Sequence, residues 1–69
     1  MHNFALYDPS SGHYVSYVAF NRKTKSYDIE FTRDLHSIRF WKMKASAEGQ
    51  AQRIFDWNRN LVLEVRELR

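Results

Sequence analysis

From Ser26 to Phe40 the chain reads S-Y-D-I-E-F-T-R-D-L-H-S-I-R-F, and its periodicity changes half-way along. The first half alternates. Tyr27, Ile29 and Phe31 fall on one side and Asp28, Glu30 and Thr32 on the other, the period-2 pattern of a strand with one buried and one wet face. In the second half Leu35, Ile38 and Phe40 follow Thr32 at one-turn spacing, and threonine suits the cap of a short helical turn. The expectation is a strand that leads directly into a helical layer.

Upstream, His13 to Phe20 (H-Y-V-S-Y-V-A-F) is dense in β-branched and aromatic residues and reads as a second strand. Its faces are Tyr14, Ser16, Val18 and Phe20 against His13, Val15, Tyr17 and Ala19. Both are partly apolar, so alternation alone does not say which one faces the core. Asn21-Arg22-Lys23-Thr24-Lys25 is a charged loop of hairpin length. Before these, Phe4 to Tyr7 reads as a first strand, and Asp8-Pro9-Ser10-Ser11-Gly12 is a turn in which proline presets φ and glycine admits positive φ.

Downstream, Ala47, Ala51, Ile54 and Phe55 are spaced to make one helical stripe between about Ala45 and Trp57. Lys44, Glu48, Gln52 and Asp56 lie opposite. Gly49 costs such a helix about 1 kcal/mol relative to alanine. Asn58-Arg59-Asn60 ends the helix, asparagine suiting a left-handed helix end, and Leu61 to Glu67 reads as a closing strand with Leu61, Leu63 and Val65 inward. The order expected is β-β-β-α-α-β. It makes an α+β two-layer fold, with a short and a longer helix on one face of an antiparallel sheet of three to four strands.

Sixty-nine residues suffice for one domain, 1–69. A chain this short needs unusual help to bury a core. Cysteine is absent, which removes disulfides and thiolate metal ligands. The two Trp, four Tyr and five Phe are the available compensation. Met1 to Asp8 lacks the basic start and apolar run of a signal peptide, and no stretch is long and apolar enough to span a bilayer. A soluble, cytoplasmic protein without membrane contact is expected. Eleven Lys and Arg against eight Asp and Glu give +3, a mild preference for anionic partners. Histidine protonation at lower pH would add to it.

The phrase Phe31, Thr32, Asp34, Leu35, Ile38, Phe40, then Ala47, Ala51, Ile54, Phe55, then Leu61, Leu63, Val65 resembles small α+β proteins of unknown function encoded by phages and prophages. The likeness spans roughly Tyr14 to Leu68. It departs at Ile38, where a small residue is usual, and at Gly49. These are core and capping positions. The resemblance therefore implies a fold and an accessory role in a phage or mobile element, and it carries no catalytic residue.

Chemistry-bearing patterns are sparse. His2, His13 and His36 make no ligand-spaced pair with each other or with a carboxylate. Asp28 and Glu30 share a strand face roughly 7 Å apart, where carboxylates usually solubilise. The two glycines are isolated, so no phosphate-binding loop exists. No catalytic residue, metal, cofactor or small-molecule substrate is expected. Two binding readings remain. In the first, an aromatic sheet face contacts an unidentified protein or a second copy of the chain, with Tyr14, Tyr17 and Trp57 as anchors. In the second, single-stranded nucleic acid is held by Arg22, Lys23, Lys25, Arg39, Lys42 and Lys44, with tyrosines as the stacking platform.

Overall fold

The computed structural model describes residues 3–68. Among these, the elements run β1 (Phe4–Asp8), β2 (His13–Asn21), β3 (Ser26–Thr32), α1 (Lys44–Trp57) and β4 (Glu64–Glu67). The strands form one antiparallel sheet in spatial order β3-β2-β1-β4. The fold is α+β, with one helix where two were expected and the order β-β-β-α-β.

Both hairpins are set by side chains that bond to nearby backbone. Asp8 accepts from the Ser10 amide (3.0 Å) and hydroxyl (2.7 Å) and from the Ser11 hydroxyl (2.9 Å). Gly12 then closes the turn at φ 76°, donating to the Asp8 carbonyl, a conformation that side chains with a Cβ resist. In the β2–β3 loop the Asn21 Oδ1 accepts from the amides of Lys23 and Thr24. Lys25 takes up the positive φ there, at 54°.

The ambiguity of β2 has a structural cause. Tyr14 and Val15 pair with Thr32 and Phe31, but Tyr17 pairs with Glu30, so the register shifts between Val15 and Tyr17. Ser16 is the additional residue of this bulge. Because one extra residue inverts the alternation, Val15, Val18 and Phe20 share a face with Phe31, Ile29 and Tyr27. Tyr14, Tyr17 and Ala19 share the other with Thr32, Glu30 and Asp28.

β1 and β2 are paired only at Tyr7–Tyr14 and Asp8–His13 and then part. The gap is filled from the connection after β3. The Arg39 amide donates to the Val15 carbonyl at 3.0 Å, and Trp41 and Phe4 exchange both backbone bonds at 2.8 and 2.9 Å. That connection is not helical. Thr32 caps no helical turn: its hydroxyl accepts from the Asp34 amide, and Asp34 holds the His36 amide and the Ser37 hydroxyl in a tight turn. Side-chain oxygens at these spacings satisfy the backbone locally and so compete with helix propagation.

Past this connection α1 lies on the face carrying Leu6 and Val15. Those two and Ala47 and Ile54 of the helix form the fully buried centre, with Val18, Ile29, Trp41, Ala51, Leu61, Leu63 and Val65 packed around it. The helix opens without a side-chain cap at Met43 and has no acidic residue in its first turn. Trp41, tied to Phe4 just upstream, fixes where it starts. It ends at Asn58, whose φ of −140° is extended. The left-handed end expected of an asparagine in Asn58-Arg59-Asn60 is not formed, since neither Asn58 nor Asn60 takes a positive φ. The Asn58 side chain instead accepts from the Asn60 amide, and the chain turns back towards β4. The closing strand is shorter than expected, with Leu61 and Leu63 reaching the core from irregular backbone.

Candidate binding face

The side of the sheet turned away from α1 carries Ala5 and Tyr7 of β1, Tyr14, Tyr17 and Ala19 of β2, Asp28, Glu30 and Thr32 of β3, and Glu64 and Arg66 of β4. Tyr14 and Tyr17 are thus on one face because of the bulge. Strict alternation would have separated them. Tyr14 is half-buried against Tyr7, their ring centroids 4.9 Å apart in a tilted pair. Tyr17 is 47 % exposed and opposite Glu30. Trp57 is not part of this surface. Its ring lies 5.5 Å from that of Tyr27 in a tilted pair, and Tyr27 in turn meets Phe20 at 4.9 Å, an aromatic cluster whose outer members Phe20 and Trp57 stay exposed. The three candidate anchors therefore do not share one face: Tyr14 and Tyr17 lie together, and Trp57, 40 % exposed, lies on the α1 side.

Arg66 and the connection add what the sequence reading missed. The Arg66 guanidinium lies 3.7 Å from the Tyr7 ring centroid and bonds Glu64 at 3.2 Å. Desolvation opposes its charge, but bonds to Glu64 and Tyr14 outweigh that and raise its pKa above the ordinary arginine value. The alternation of Glu64-Val65-Arg66-Glu67 was the available signal.

At the other corner Ala5 is fully buried although its side chain points away from α1. Ile38 is also buried and stands outside the main core cluster. With Leu35, His36, Phe40, Asn3 and Leu68 it lines an open groove of about 550 Å³. Because Trp41 faces the core, Phe40, one residue before it, faces outward. Leu35 is 65 % exposed and Phe40 42 %. Their spacing after Thr32 predicts a short helical turn and a connection; the tight turn at Asp34 forms instead, and both side chains are exposed.

The basic residues lie elsewhere and in two groups. Arg22, Lys23 and Lys25 are exposed at the tip of the β2–β3 hairpin. Arg39, Lys42 and Lys44 are exposed along the connection and the first residue of α1, with the Arg39 guanidinium 5.1 Å from the Trp41 ring centroid. Neither group lies among the tyrosines. Their face carries Asp28, Glu30 and Glu64 against the single cation Arg66, which Glu64 already engages.

Asp28 and Glu30 project into solvent on this face. His13 receives the Arg33 Nε–H at 2.6 Å, the His36 amide is part of the Asp34 turn, and His2 lies outside the described residues. Among the described residues no three His, Asp or Glu side chains are placed to hold a metal ion, and no helix is long and apolar enough to cross a membrane. Compared with known proteins, the chain matches no family model, no curated protein and no solved structure.

Proposed function

We propose that the chain is a non-enzymatic binding protein whose open sheet face docks a protein partner, with Tyr17 and Tyr14 at the centre of the contact. The observation that carries this reading is the exposure of Tyr17, with Tyr14 on the same face, on the side of the sheet turned away from α1. Tyrosine combines a large apolar area with few rotatable bonds and a hydroxyl, the combination enriched at interface centres. Leu35 and Phe40 add exposed apolar area in the connection after β3.

The charges on that side define the partner. Asp28 and Glu30 flank Tyr17 with no cation opposite them, so a complementary surface carries Lys or Arg around an apolar residue that seats in the groove. Such a role, occlusion or scaffolding without chemistry, is the accessory function that the resemblance to phage and mobile-element proteins implies.

Nucleic acid is the competing reading. The stacked Arg39–Trp41 pair favours it, as does the basic hairpin tip. The acidic setting of the tyrosines disfavours them as a base-stacking platform, because phosphates would approach Asp28 and Glu30.

The test is an amide-shift titration of the chain with three probes: an extended peptide alternating Lys or Arg with Leu, its acidic counterpart, and a single-stranded oligothymidine. The basic peptide should shift Tyr17, Glu30 and Phe40 and lose its effect in Tyr17→Ala, while the acidic peptide does nothing. Saturable shifts with the oligonucleotide at Arg22, Lys23, Arg39 and Lys42, fading steeply with salt, would instead establish the competing reading.

A further inference from the structure

The sheet has two edges, and their charges treat a second copy of the chain differently. β3 forms one edge and β4 the other. A free edge offers a row of backbone donors and acceptors to any strand that can lie beside it. On β3, Asp28 and Glu30 point to the same face, with Ile29 between them. An antiparallel copy centred on Ile29 sets Asp28 against Glu30, and one centred on either carboxylate sets it against itself. Like charges directly opposite oppose pairing, so all three of these registers are disfavoured at β3.

On β4 the arrangement is reversed. Glu64 and Arg66 share the open face, with Val65 between them on the core face opposite Leu6. In an antiparallel copy with Val65 on the two-fold axis, each Glu64 faces the other chain's Arg66. An axis at Glu64 or at Arg66 would bring like charges together, so charge alone picks Val65.

The backbone makes the same choice. The Leu68 amide donates to the Asn3 carbonyl, which fixes the ladder's phase: Arg66 and Glu64 turn their backbone groups towards β1, and Val65 turns its own outward. A Val65–Val65 pair is then a hydrogen-bonded pair. The neighbouring Glu64–Arg66 pairs fall at the closer, non-bonded positions, where side chains interact most. On the core side the groove between α1 and β4, where Phe55, Val62 and Val65 lie together with Lys44, Glu48 and Gln52, would adjoin its counterpart. Val62, now 57 % exposed, stands at that junction.

We infer that β4 is a self-recognition edge, through which two copies of the chain join into one continuous antiparallel sheet with two-fold symmetry. The axis runs perpendicular to the sheet, because Val65 meets Val65 on the core side. Both tyrosine faces therefore end on the same side of the dimer. The inference does not depend on what those faces bind.

Sedimentation equilibrium tests it, with the intact chain examined from about 10 μM to about 1 mM, the range of a small edge contact. The wild-type chain should approach twice its monomer mass. Arg66→Glu and Glu64→Arg should each weaken association at least about tenfold, since two attractive pairs become two repulsive ones. An equimolar mixture of these two variants should associate again, as should the double variant E64R/R66E, because each restores opposite charges across the axis. Circular dichroism on the single variants confirms that they remain folded, and the mixture makes the result independent of their stability. A monomer throughout the range overturns the inference, as does a dimer indifferent to the single charge changes. Loss of the dimer in Tyr17→Ala but not in Arg66→Glu assigns self-association to the tyrosine face, overturning the edge while leaving the proposed function standing.

Discussion

The two faces of this sheet are built from the same strands and do different work. On the α1 side Leu6, Val15, Ala47 and Ile54 are fully buried. On the other side Tyr17, Asp28 and Glu30 meet solvent and only Ala5 is fully covered. In so small a protein one packed face supplies most of the stability, since too few residues remain to cover the second. The open face is then free of that packing and carries Tyr17 exposed; the exposed aromatics of the α1 side, Phe20 and Trp57, differ in lying against Tyr27 in one ring cluster.

The contrast is broken most severely by substitutions under the helix. Leu6→Ala and Ile54→Ala should each cost about 2–5 kcal/mol, the range for emptying a buried aliphatic site. For a domain of this size that is a large part of the total, and urea denaturation should find one or both largely unfolded. Tyr17→Ala should stay within about 0.5 kcal/mol of the parent, as surface changes usually do. Equal costs on the two faces would remove the distinction.

The two glycines sharpen it next. Gly12 holds φ 76° in the hairpin that brings Tyr7 beside Tyr14, and an added Cβ meets nothing nearer than the Tyr7 hydroxyl at 3.8 Å. Gly12→Ala should therefore destabilise by about 1–2 kcal/mol through backbone strain alone. Gly49 sits inside α1, where a Cβ meets only the tip of Arg53 at 3.9 Å. Gly49→Ala should stabilise by about 0.5–1 kcal/mol. Opposite shifts in thermal midpoint for the same chemical change are the expected readout.

The smallest effect is a pH dependence. The Ser10 hydroxyl bond, opposed by slight desolvation and aided by Ser11 and by the Ser10 amide, holds the Asp8 carboxyl below its ordinary range. A carboxyl favoured as the anion in the folded state adds stability above its unfolded pKa of about 3.9 and loses it as pH falls through the lower folded value. Asp8→Asn should therefore lower the thermal midpoint slightly at neutral pH, and the two curves should converge in acid. A constant offset at every pH would put the loss down to turn geometry instead.

Much of this architecture was legible in the residues. The alternation of Tyr27 to Thr32 gave β3 its bounds, and the stripe of Ala47, Ala51, Ile54 and Phe55 placed α1 within one residue of where it begins. Two features were not. Ser16 carries no local mark of a bulge, and the register shift lies where the connection bonds β2 at Val15, a long-range contact that no local pattern announces. The run from Thr32 to Phe40 has helical spacing, but Thr32 and Asp34 bond the nearest amides and the backbone follows them into a turn. The binding face inherits both surprises. Tyr14 and Tyr17 come together through the bulge, while Leu35 and Phe40 surface through the turn.

Everything said of that face depends on the bulge presenting Tyr17 outward and Val18 inward. The chain has no cysteine of its own, so Tyr17→Cys and Val18→Cys each introduce a single thiol whose reaction rate with a maleimide reports its exposure. The thiol of Tyr17→Cys should react at least about tenfold faster than that of Val18→Cys under native conditions, with equal rates once both are unfolded. Equal native rates, or the reverse order, would mean that β2 keeps strict alternation and that the tyrosine face does not exist.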